Sequence, residues 1–423
     1  MTHETHENRK TASVLARIDA PWLTSAPLAK VFAAFAAAGV EVRVVGGAVR
    51  NALLGRTSAD VDLATPALPA DVTRLAEAAG LSVYPTGIDH GTVTVVADGV
   101  PFEVTTLRRD VETDGRRAVV AFTRDWHEDA MRRDFTINAL YCDANGAVFD
   151  PVGSLADIIA RRVRFIGDAH ARIREDYLRI LRFFRFNAEY ANGAPDAAGL
   201  AACIALKDGI AKLSAERAGA EMLKLLAATG AADVVKIMQA VNILSAVLGN
   251  RCDAENLVRL QTIEAALGLS PDALTRLAAL AIDGAEDVAP IAVRLRLSNA
   301  ETEALKAAVS VNLARDPTAF DDATRADIYR VGSEAYNRAY LIAWARSQAL
   351  ATDPARSQNF AQATLWRAPA MPFKGSDVLA LGVPEGPCVG VILKAFEDWW
   401  IGEDFPADGA RLRDKLAALA RHG

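Results

Sequence analysis

The sequence of 423 residues has few of the features that mark secreted, membrane or zinc-stabilised proteins. Its four cysteines lie far apart and form no C-x-x-C pair, so neither a disulfide framework nor a structural zinc site is expected. No apolar run approaches the roughly 18 residues that a membrane-spanning helix needs, and the polar start is unlike a secretory signal. These absences favour a cytoplasmic protein without a membrane segment.

Aromatic residues are also scarce, at 7%, whereas alanine and leucine dominate the apolar set. Both residues have high helix propensity, so we expect a largely helical chain. The net charge of −6 argues against a protein that coats nucleic acid non-specifically, but it leaves room for a local basic surface.

Strand-like patterns are confined to the first part of the chain. The apolar and β-branched patterns predict helices and strands, with helices over 11–38 and 71–80 and strands over 40–45, 60–64, 91–96, 102–107 and 135–142. Beyond about residue 154 the apolar residues recur at helical spacing. The sequence therefore predicts an α+β fold, in which an N-terminal domain of strands and helices precedes an all-helical remainder.

The densest chemical signal lies in residues 44–65, VVGGAVRNALLGRTSADVDLAT. Gly46 and Gly47 separate a strand from a helix, whose free N–H groups can bind phosphate, and Arg50 adds a positive charge one turn later. Asp60 and Asp62 alternate on a predicted strand, so both carboxylates project from one face and repel each other unless a cation lies between them. Mg²⁺ suits such oxygen ligands, so the segment predicts metal-assisted phosphoryl or nucleotidyl transfer.

Other polar positions extend this candidate site. Glu103, within FEVTTL, is a third candidate carboxylate, although an exposed strand glutamate fits the pattern equally well. In RRDFTIN, Arg133 is a candidate triphosphate ligand, and Asp134 and Asn138 are candidates to brace the site by hydrogen bonds. The alternative for this motif is a basic pair at the surface that caps an element.

A local basic segment covers residues 161–186, where eight arginines and three acidic residues give a net charge of +5. Within it, Asp176, Arg179, Arg182 and Arg185 recur at every third position, which on a helix forms a slowly winding polar stripe. The plain alternative is a solvated helix face on which Asp176 and Arg179 form an ion pair that contributes only about 0.2–0.5 kcal/mol.

An aspartate beside an arginine also has a specific recognition capacity. The carboxylate accepts hydrogen bonds and the guanidinium donates them, which matches an amino group next to a ring nitrogen. Cytosine and adenine present that pattern, whereas uracil and guanine present its inverse. Asp176 and Arg179 would therefore select C and A together.

The motifs GGAVRNALLGRTSADVDLAT, RRDFTINAL and EDYLRILRFFRF, in this order, resemble the class II tRNA nucleotidyltransferase family. That family comprises CCA-adding enzymes and the related bacterial poly(A) polymerases. The resemblance runs from about Val44 to Leu226, including LSAERAGAEMLKL, and resumes weakly at 373–393. It implies a head with a small mixed β-sheet over 1–160, a neck with nucleotide-templating helices over 161–230, a helical body over 231–320 and a helical tail over 321–423 that contacts tRNA.

The same resemblance implies roles for individual residues. By matching position, Asp60 and Asp62 would hold Mg²⁺ and act in catalysis. The nucleotide would bind the residues Gly47, Arg50, Arg133, Asp176, Arg179, Arg182 and Arg185. Supporting positions would be Gly46, Glu103, Asp134, Asn138 and Glu175. The family template motif E-D-x-x-R matches Glu175, Asp176 and Arg179. The sequence departs from the family at Asn51, at Tyr177 and in the divergent loop 110–126.

The resemblance implies a CCA tRNA nucleotidyltransferase that adds C, C and A to the tRNA 3′ end from CTP and ATP. A bacterial poly(A) polymerase is the nearest alternative, although it would be expected to carry a basic C-terminal extension, and this chain ends without a basic run. Enzymes that add only CC or only A are a second alternative. A non-enzymatic RNA-binding protein on the same fold is a third, but it predicts a broken carboxylate pair or a broken template, and the sequence has neither.

Overall fold

The computed structural model describes residues 16–58, 60–114, 117–249, 251–311 and 319–422. The chain forms two compact units, Met1–Glu221 and Met222–Gly423. Their boundary falls inside the segment 161–230 that the sequence predicts as the neck. The four-part division into head, neck, body and tail therefore stays a prediction, within which the first unit holds the head and most of the neck.

Strands occur in the first unit only, as far as the described residues extend. They are β1 (Ala16–Arg17), β2 (Arg43–Val45), β3 (Leu63–Thr65), β4 (Ser82–Gly87), β5 (Thr92–Ala97), β6 (Val100–Thr106), β7 (Arg108–Asp114), β8 (Arg117–Phe122), β9 (Tyr141–Cys142) and β10 (Ala147–Phe149). Eight of them form one sheet in the order β1-β10-β9-β2-β3-β6-β5-β4, and β7 pairs with β8. Only β3 and β6 run parallel within the large sheet, which is therefore mixed, as expected.

The helices that accompany this sheet lie between the strands and after them. They are α1 (Ala26–Ala37), α2 (Gly47–Leu53), α3 (Pro69–Ala78), α4 (Trp126–Met131), α5 (Ser154–Ile159), α6 (Ala169–Glu175), α7 (Leu178–Tyr190), α8 (Ala197–Ala205) and α9 (Ala215–Ala227). The predicted helix over 71–80 is confirmed by α3, and the predicted strands over 40–45, 91–96 and 102–107 are confirmed by β2, β5 and β6.

At strands β5 and β6, helices cover one face of the large sheet and leave the other face open. Helices α1 and α3 contact β5 on the covered face, where Val93, Val95 and Val104 are fully buried. The alternate residues Thr94 and Glu103 point to the other face, since successive strand residues face opposite sides. Thr94 is half-buried and Glu103 is exposed. The polar residues of the alternating pattern therefore lie on a face that no helix of this layer covers.

The strand predicted over 60–64 is wrong in its extent, because β3 begins only at Leu63. Val44 pairs with Leu63, and the amide of Val45 donates to the carbonyl of Asp62 over 2.9 Å. The partner strand ends there, since Gly46 turns the chain away with a φ of 71°. The residues before Asp62 consequently have no strand neighbour on this side, which leaves both aspartates at the open end of the ladder.

The strand predicted over 135–142 is also wrong for most of its length. Residues Thr136–Asn138 form one turn of 3₁₀ helix, and only Tyr141–Cys142 pairs in the sheet. The Thr136 hydroxyl donates to Asp157 over 2.7 Å, and the Asn138 amide donates to Asp134 over 3.0 Å. Such side-chain bonds offer the chain an alternative to a strand ladder.

The helix predicted over 11–38 begins later than expected, at Ala26. Ala16–Arg17 instead pairs with β10, and residues 11–15 lie outside the described part of the chain. Pro27 explains the start of α1, because a proline fits the first turn of a helix but interrupts its interior.

Every element described in the second unit is a helix. They are α10 (Ala231–Ala240), α11 (Ile243–Leu248), α12 (Ala254–Leu267), α13 (Ala273–Ala281), α14 (Ala285–Leu295), α15 (Asn299–Ser310), α16 (Asp322–Val331), α17 (Ser333–Arg346), α18 (Pro354–Leu365), α19 (Gly375–Leu379), α20 (Pro387–Gly402) and α21 (Gly409–His422). The prediction of an α+β fold with a helical remainder is confirmed. None of the described helices is long and apolar enough to cross a membrane.

Two buried groups organise this helical unit. In the first, α12, α13 and α17 pack together, and the guanidinium of Arg276 binds Glu264 in the core. In the second, α19, α20 and α21 enclose an apolar cluster that contains Phe396 and Trp400. Trp399 is half-buried and packs against Phe396. The tryptophan pair therefore belongs largely to the packing of the last three helices.

Candidate active site

The glycine turn between β2 and α2 depends on its first glycine. Gly46 has a φ of 71°, a conformation that favours glycine, and its carbonyl accepts from the amide of Arg50 to start the helix. A Cβ at Gly46 would lie 3.6 Å from Nη1 of Arg133. The turn therefore places the first N–H groups of α2 beside a guanidinium, which is a suitable environment for an anion.

Three carboxylates lie at the neighbouring strands. Asp60 and Asp62 precede β3, and Glu103 is on β6 next to Asp62, because Leu63 pairs with Val104 in parallel register. All three are exposed to solvent. Partial loss of hydration and the negative charges of Glu103 and Asp60 raise the pKa of Asp62, and the positive charge of Arg133 opposes the rise.

A bound hard cation would reduce the repulsion between these three carboxylates. Carboxylate oxygens suit Mg²⁺, which commonly takes one or two of them and completes its shell with water and substrate phosphates. In the described part of the chain, no three His, Cys, Asp or Glu side chains converge closely enough to hold a metal without such additional ligands. Asp60 and Asp62 therefore fit a metal that arrives with a triphosphate, and the position of Glu103 is beside that pair.

Arg133 is held by an acid that the sequence analysis missed. Asp129 is buried and accepts from Nη2 of Arg133 over 3.0 Å, from Arg132 over 2.9 Å and from the hydroxyl of Tyr141 over 2.7 Å. Burial alone would raise the pKa of Asp129, but the two arginines and the tyrosine outweigh it and lower the pKa to about 2. Asp129 is thus a fixed anion that orients the Arg133 guanidinium near the glycine turn.

Arg50 is buried beneath the glycine turn. It is only 6% exposed, and its guanidinium donates to Asn138 over 2.5 Å, to the Tyr190 hydroxyl over 2.7 Å and to Asn51 over 3.1 Å. Its guanidinium carbon also lies 3.9 Å from the centre of the Tyr190 ring. Asn51, where the family resemblance leads one to expect Asp, therefore accepts from Arg50 as a neutral partner.

A continuous polar network joins the glycine turn to α7. Asn138 links Arg50 to Asp134, and the Asp134 carboxylate accepts from Arg182 over 2.5 Å and 2.8 Å. Burial opposes the charge of Asp134, but Arg182, the Asn138 amide and a backbone amide keep its pKa below the ordinary value. The predicted bracing role of Asp134 and Asn138 is consistent with these bonds.

Arg185 is paired within the helical part of the unit. Its Nε donates to Glu221 over 2.6 Å, and Nη1 donates to Glu189 over 3.1 Å. Glu221 also lies 3.8 Å from Arg182. The two arginines thus share Glu221, which is nearly buried, and both guanidinium groups contact the Phe186 ring.

The residues expected to read the base do not lie on one helix. Asp176 has an extended backbone, with a φ of −156°, and separates α6 from α7, whereas Arg179 is in the first turn of α7. The idea of a helical stripe from Asp176 to Arg185 is therefore wrong at its first member. The reason is that the Asp176 side chain accepts from the amide of Leu178 over 3.0 Å and so begins the second helix.

Asp176 and Arg179 are each held by a different residue. The Asp176 carboxylate accepts from Arg217 over 2.6 Å, and Arg179 donates to Glu175 and, over 2.7 Å, to the carbonyl of Arg172. Both side chains remain partly exposed, at 22% and 14%. The arrangement differs from the simple ion pair between Asp176 and Arg179, and it leaves each group fixed by partners behind it.

Sequence reasoning thus missed Asp129, Arg217 and Glu221. Arg217 and Glu221 lie in the motif LSAERAGAEMLKL, which the resemblance had included without assigning their roles. Their partners are 41 and 36 residues away along the chain. The sequence therefore identified the motif, but residue spacing did not predict which residues near α6 and α7 it contacts.

Comparison with known proteins extends the motif evidence. A family model described as the poly A polymerase head domain matches residues 42–164. A curated relative from Danio rerio, "CCA tRNA nucleotidyltransferase 1, mitochondrial", is 34% identical over 368 residues, with 85% of this chain and 83% of the relative covered. The chain belongs to the CCA tRNA nucleotidyltransferase family. The Mus musculus member of this family is 33% identical, with 86% of this chain and 84% of the relative covered.

Solved structures of the same family have a similar fold. The CCA-adding enzyme of Bacillus stearothermophilus, solved in complex with CTP, gives a TM-score of 0.72 at 26% identity, with 94% of this chain and 98% of that chain covered. The CCA-adding enzyme of Thermotoga maritima, solved with tRNA, gives a TM-score of 0.63 at 17% identity, with 96% of this chain and 97% of that chain covered, which shows likeness of fold alone. The family's fold thus extends over both units of this chain.

Proposed function

We propose that this chain is a CCA-adding enzyme, which attaches C, C and A in turn to the 3′ end of tRNA. The observation that carries the proposal is the Asp60 and Asp62 pair beside the glycine turn, in a chain that is similar to CCA tRNA nucleotidyltransferases over 85% of its length. CTP, an ATP analogue and tRNA are bound in solved structures of the fold, and we infer the corresponding substrates for this chain.

In the reaction, the 3′-hydroxyl oxygen of the RNA forms a bond to the α-phosphorus of the nucleotide. The bond from that phosphorus to the bridging oxygen breaks, pyrophosphate leaves with the electron pair, and the proton of the 3′-hydroxyl passes to water. Arg133 and the first N–H groups of α2 would hold the triphosphate, since both donate to anionic oxygens and Asp129 fixes the guanidinium. Arg50 and Asn138 would keep the turn in place from below.

Mg²⁺ is the cofactor that Asp60 and Asp62 fit, and it would neutralise charge on the attacking and leaving oxygens. Glu103 lies on the strand next to Asp62 and would add negative charge to the same site. Asp60 and Asp62 are thus proposed as the catalytic carboxylates and metal ligands, with Glu103 in support.

Nucleotide choice would be made by Asp176 and Arg179. The carboxylate would accept from the amino group of C or A, and the guanidinium would donate to the adjacent ring nitrogen. Arg217 and Glu175 would hold these two groups in position. Arg182 and Arg185 would line the same pocket as positive charges held by Asp134 and Glu221.

The cytoplasm is the proposed compartment, on the basis of the unpaired cysteines, although the animal relatives carry mitochondrial names. Cell fractionation with antibody detection distinguishes the two. Recovery of the protein with mitochondria would overturn the cytoplasmic assignment and leave the activity proposal intact.

The activity is tested with tRNA that lacks its 3′ terminal CCA and with tRNA that ends in CC, each incubated with every labelled nucleotide singly and with CTP and ATP together. Sequencing of the products should show C, C and A added in order, and no more. Long adenosine tails would indicate a poly(A) polymerase, and products that stop after CC or start only from CC would indicate a partial enzyme. Asp60→Ala is the matched inactive control, and unchanged tRNA in the wild-type reaction would refute the proposal.

A further inference from the structure

We propose that the open face of the sheet beyond the carboxylates carries the 3′ strand of the acceptor RNA, and that Tyr84 stacks on one of its bases. This inference rests on the proposed function, which requires an RNA 3′-hydroxyl beside Asp60 and Asp62. It adds a surface for that RNA on β5 and β4, two strands of the first unit that the nucleotide site does not use, next to Glu103 on β6.

Strand register places a row of side chains on this face. Asp62 lies beside Glu103, Glu103 is the partner of Thr94, and Thr94 is the partner of Tyr84. Cross-strand partners point to the same face. With a strand spacing of about 4.8 Å, Tyr84 lies three strands and ~14 Å from Asp62. The row therefore leads from the reacting position to the edge strand β4.

The direction of the row matches the geometry of the reaction. In phosphoryl transfer the attacking and leaving oxygens are roughly in line on opposite sides of the phosphorus. The glycine turn and its arginine neighbour lie on the β2 side of Asp62, and β6, β5 and β4 follow on the other side. If the triphosphate lies at the turn, the RNA hydroxyl must approach from the side of β6. The acceptor strand then lies over β5 and β4.

The hydroxyl groups and the aromatic ring on this face suit an RNA strand whose terminal base changes with each nucleotide added. Thr86 and Thr94 share a hydrogen bond of 2.6 Å, and Thr92 and Thr105 share one of 3.0 Å, so each pair can offer a further hydroxyl contact to phosphate or ribose. Base stacking on an aromatic ring tolerates any base, since every base has a π-face. The face therefore offers binding without base selection.

Tyr84 is an unusual residue in its surroundings. It is 54% exposed, and within the described residues its ring has no aromatic neighbour and its hydroxyl no hydrogen-bond partner. By contrast, Tyr141, Tyr190 and Tyr340 have hydroxyl partners. A large ring exposed on the edge strand, in register with the carboxylates, is what a stacking contact requires.

The first test compares steady-state kinetics of Tyr84→Ala, Tyr84→Phe and wild type on tRNA that lacks CCA. Loss of one stacking ring should raise the KM for tRNA by about 5- to 150-fold and leave the KM for CTP unchanged. Tyr84→Phe should restore the KM for tRNA, because it keeps the ring. Ile159→Ala removes an apolar side chain on α5 that is more exposed still, at 83%, and should have no effect.

The second test adds charge on the same face, with Thr86→Glu and Thr86→Lys. A negative charge along an RNA strand should raise the KM for tRNA and a positive charge should lower it, and the two values should converge as salt increases. Unchanged KM values for tRNA in Tyr84→Ala and both charge variants would overturn the inference. If wild type adds no nucleotide to tRNA, the proposed function itself fails, and these outcomes are therefore distinguishable.

Discussion

The surroundings of Asp62 disfavour its negative charge. A neutral replacement should therefore raise stability while it lowers activity. The raised pKa of Asp62 means that the folded protein prefers the protonated form, so the charged form lowers stability at neutral pH. We expect Asp62→Asn to raise the melting temperature in EDTA and to lower nucleotide addition by roughly 10³-fold. Asp71→Asn, in an exposed ion pair with Arg74, is the matched control and should change neither.

Asp129 should show the reverse behaviour, because its pKa is lowered to about 2. A carboxyl group with a lowered pKa stabilises the fold above its ordinary value of 3.8, and this contribution is lost as pH falls from about 4 towards 2. The shift corresponds to ~2 kcal/mol. Asp129→Asn should therefore lower the unfolding free energy at pH 7 but change it little at pH 2. If the unfolding free energies of wild type and Asp129→Asn differ by the same amount at pH 7 and pH 2, the charge of Asp129 is not what stabilises the fold.

Asp176 and Arg179 should determine which nucleotides are accepted. Loss of one charge-assisted hydrogen bond to the base costs about 1.5–3 kcal/mol, so Asp176→Ala should reduce the preference for CTP over UTP by roughly 10- to 150-fold. Arg179→Ala should act in the same direction. The measurement is kcat/KM for all four nucleotides, with the exposed Arg174→Ala as the control on the same segment. An equal decrease for every nucleotide would contradict the template assignment.

At the scale of elements, the junction of α6 and α7 depends on a close packing that no periodicity reveals. The Tyr177 ring lies where a Cβ of Gly209 would be, and Nζ of Lys212 lies 5.2 Å from the ring centre. Only a glycine leaves room for this ring. Tyr177 follows Asp176 directly, so the contact bears on the orientation of the base-reading carboxylate.

Gly209→Ala should therefore force the Tyr177 ring to move, with a loss of about 1–3 kcal/mol of stability. Nucleotide preference should decline with it, because Asp176 moves with its neighbour. The double variant Gly209→Ala with Tyr177→Ala should recover preference, since the smaller side chain frees the space. Gly390→Ala is the control, because this glycine of α20 has open space around it and no positive φ. If the double variant is no better than Gly209→Ala, packing on Tyr177 is not the cause.

The same junction shows what sequence can and cannot predict. The glycine turn was predictable, because a glycine pair between a strand pattern and a helix pattern is a local signal. The strand alternation used to pair Asp60 with Asp62 was not borne out, because both residues precede β3. The break at Asp176 was not, because helical spacing continues through it and the reason is a side-chain bond to Leu178. Likewise Asp129 and Arg217 belong to the site through partners brought together by the fold, which residue spacing does not specify.

At the scale of the whole molecule, the two units differ in which functional residues they contain. All the proposed catalytic and base-reading residues belong to the first unit, whereas the second is helical throughout its described residues. The predicted α+β class followed from the contrast in periodicity on either side of about residue 154, a position that lies within the first unit. Their internal charges were not predictable, since a buried arginine such as Arg276 has the same sequence pattern as an exposed one.

Arg276 therefore gives a way to separate stability from nucleotide choice. It is 2% exposed and donates to Glu264 over 2.6 Å and to the carbonyls of Leu226 and Ala228 over 2.6 Å and 2.7 Å. Burial raises the pKa of Glu264, and Arg276 opposes this rise. Removing the arginine leaves a buried charge and two carbonyls unpaired.

Arg276→Met should lower the unfolding free energy by about 3–5 kcal/mol at neutral pH, since one partner of a buried ion pair remains. The loss should shrink as pH falls, because a protonated Glu264 no longer carries an unpaired charge. The double variant with Glu264→Gln should be more stable than Arg276→Met alone. Relative kcat/KM for the four nucleotides should stay unchanged below the melting temperature, and a changed preference for CTP and ATP would show that Arg276 acts on the base-reading residues as well.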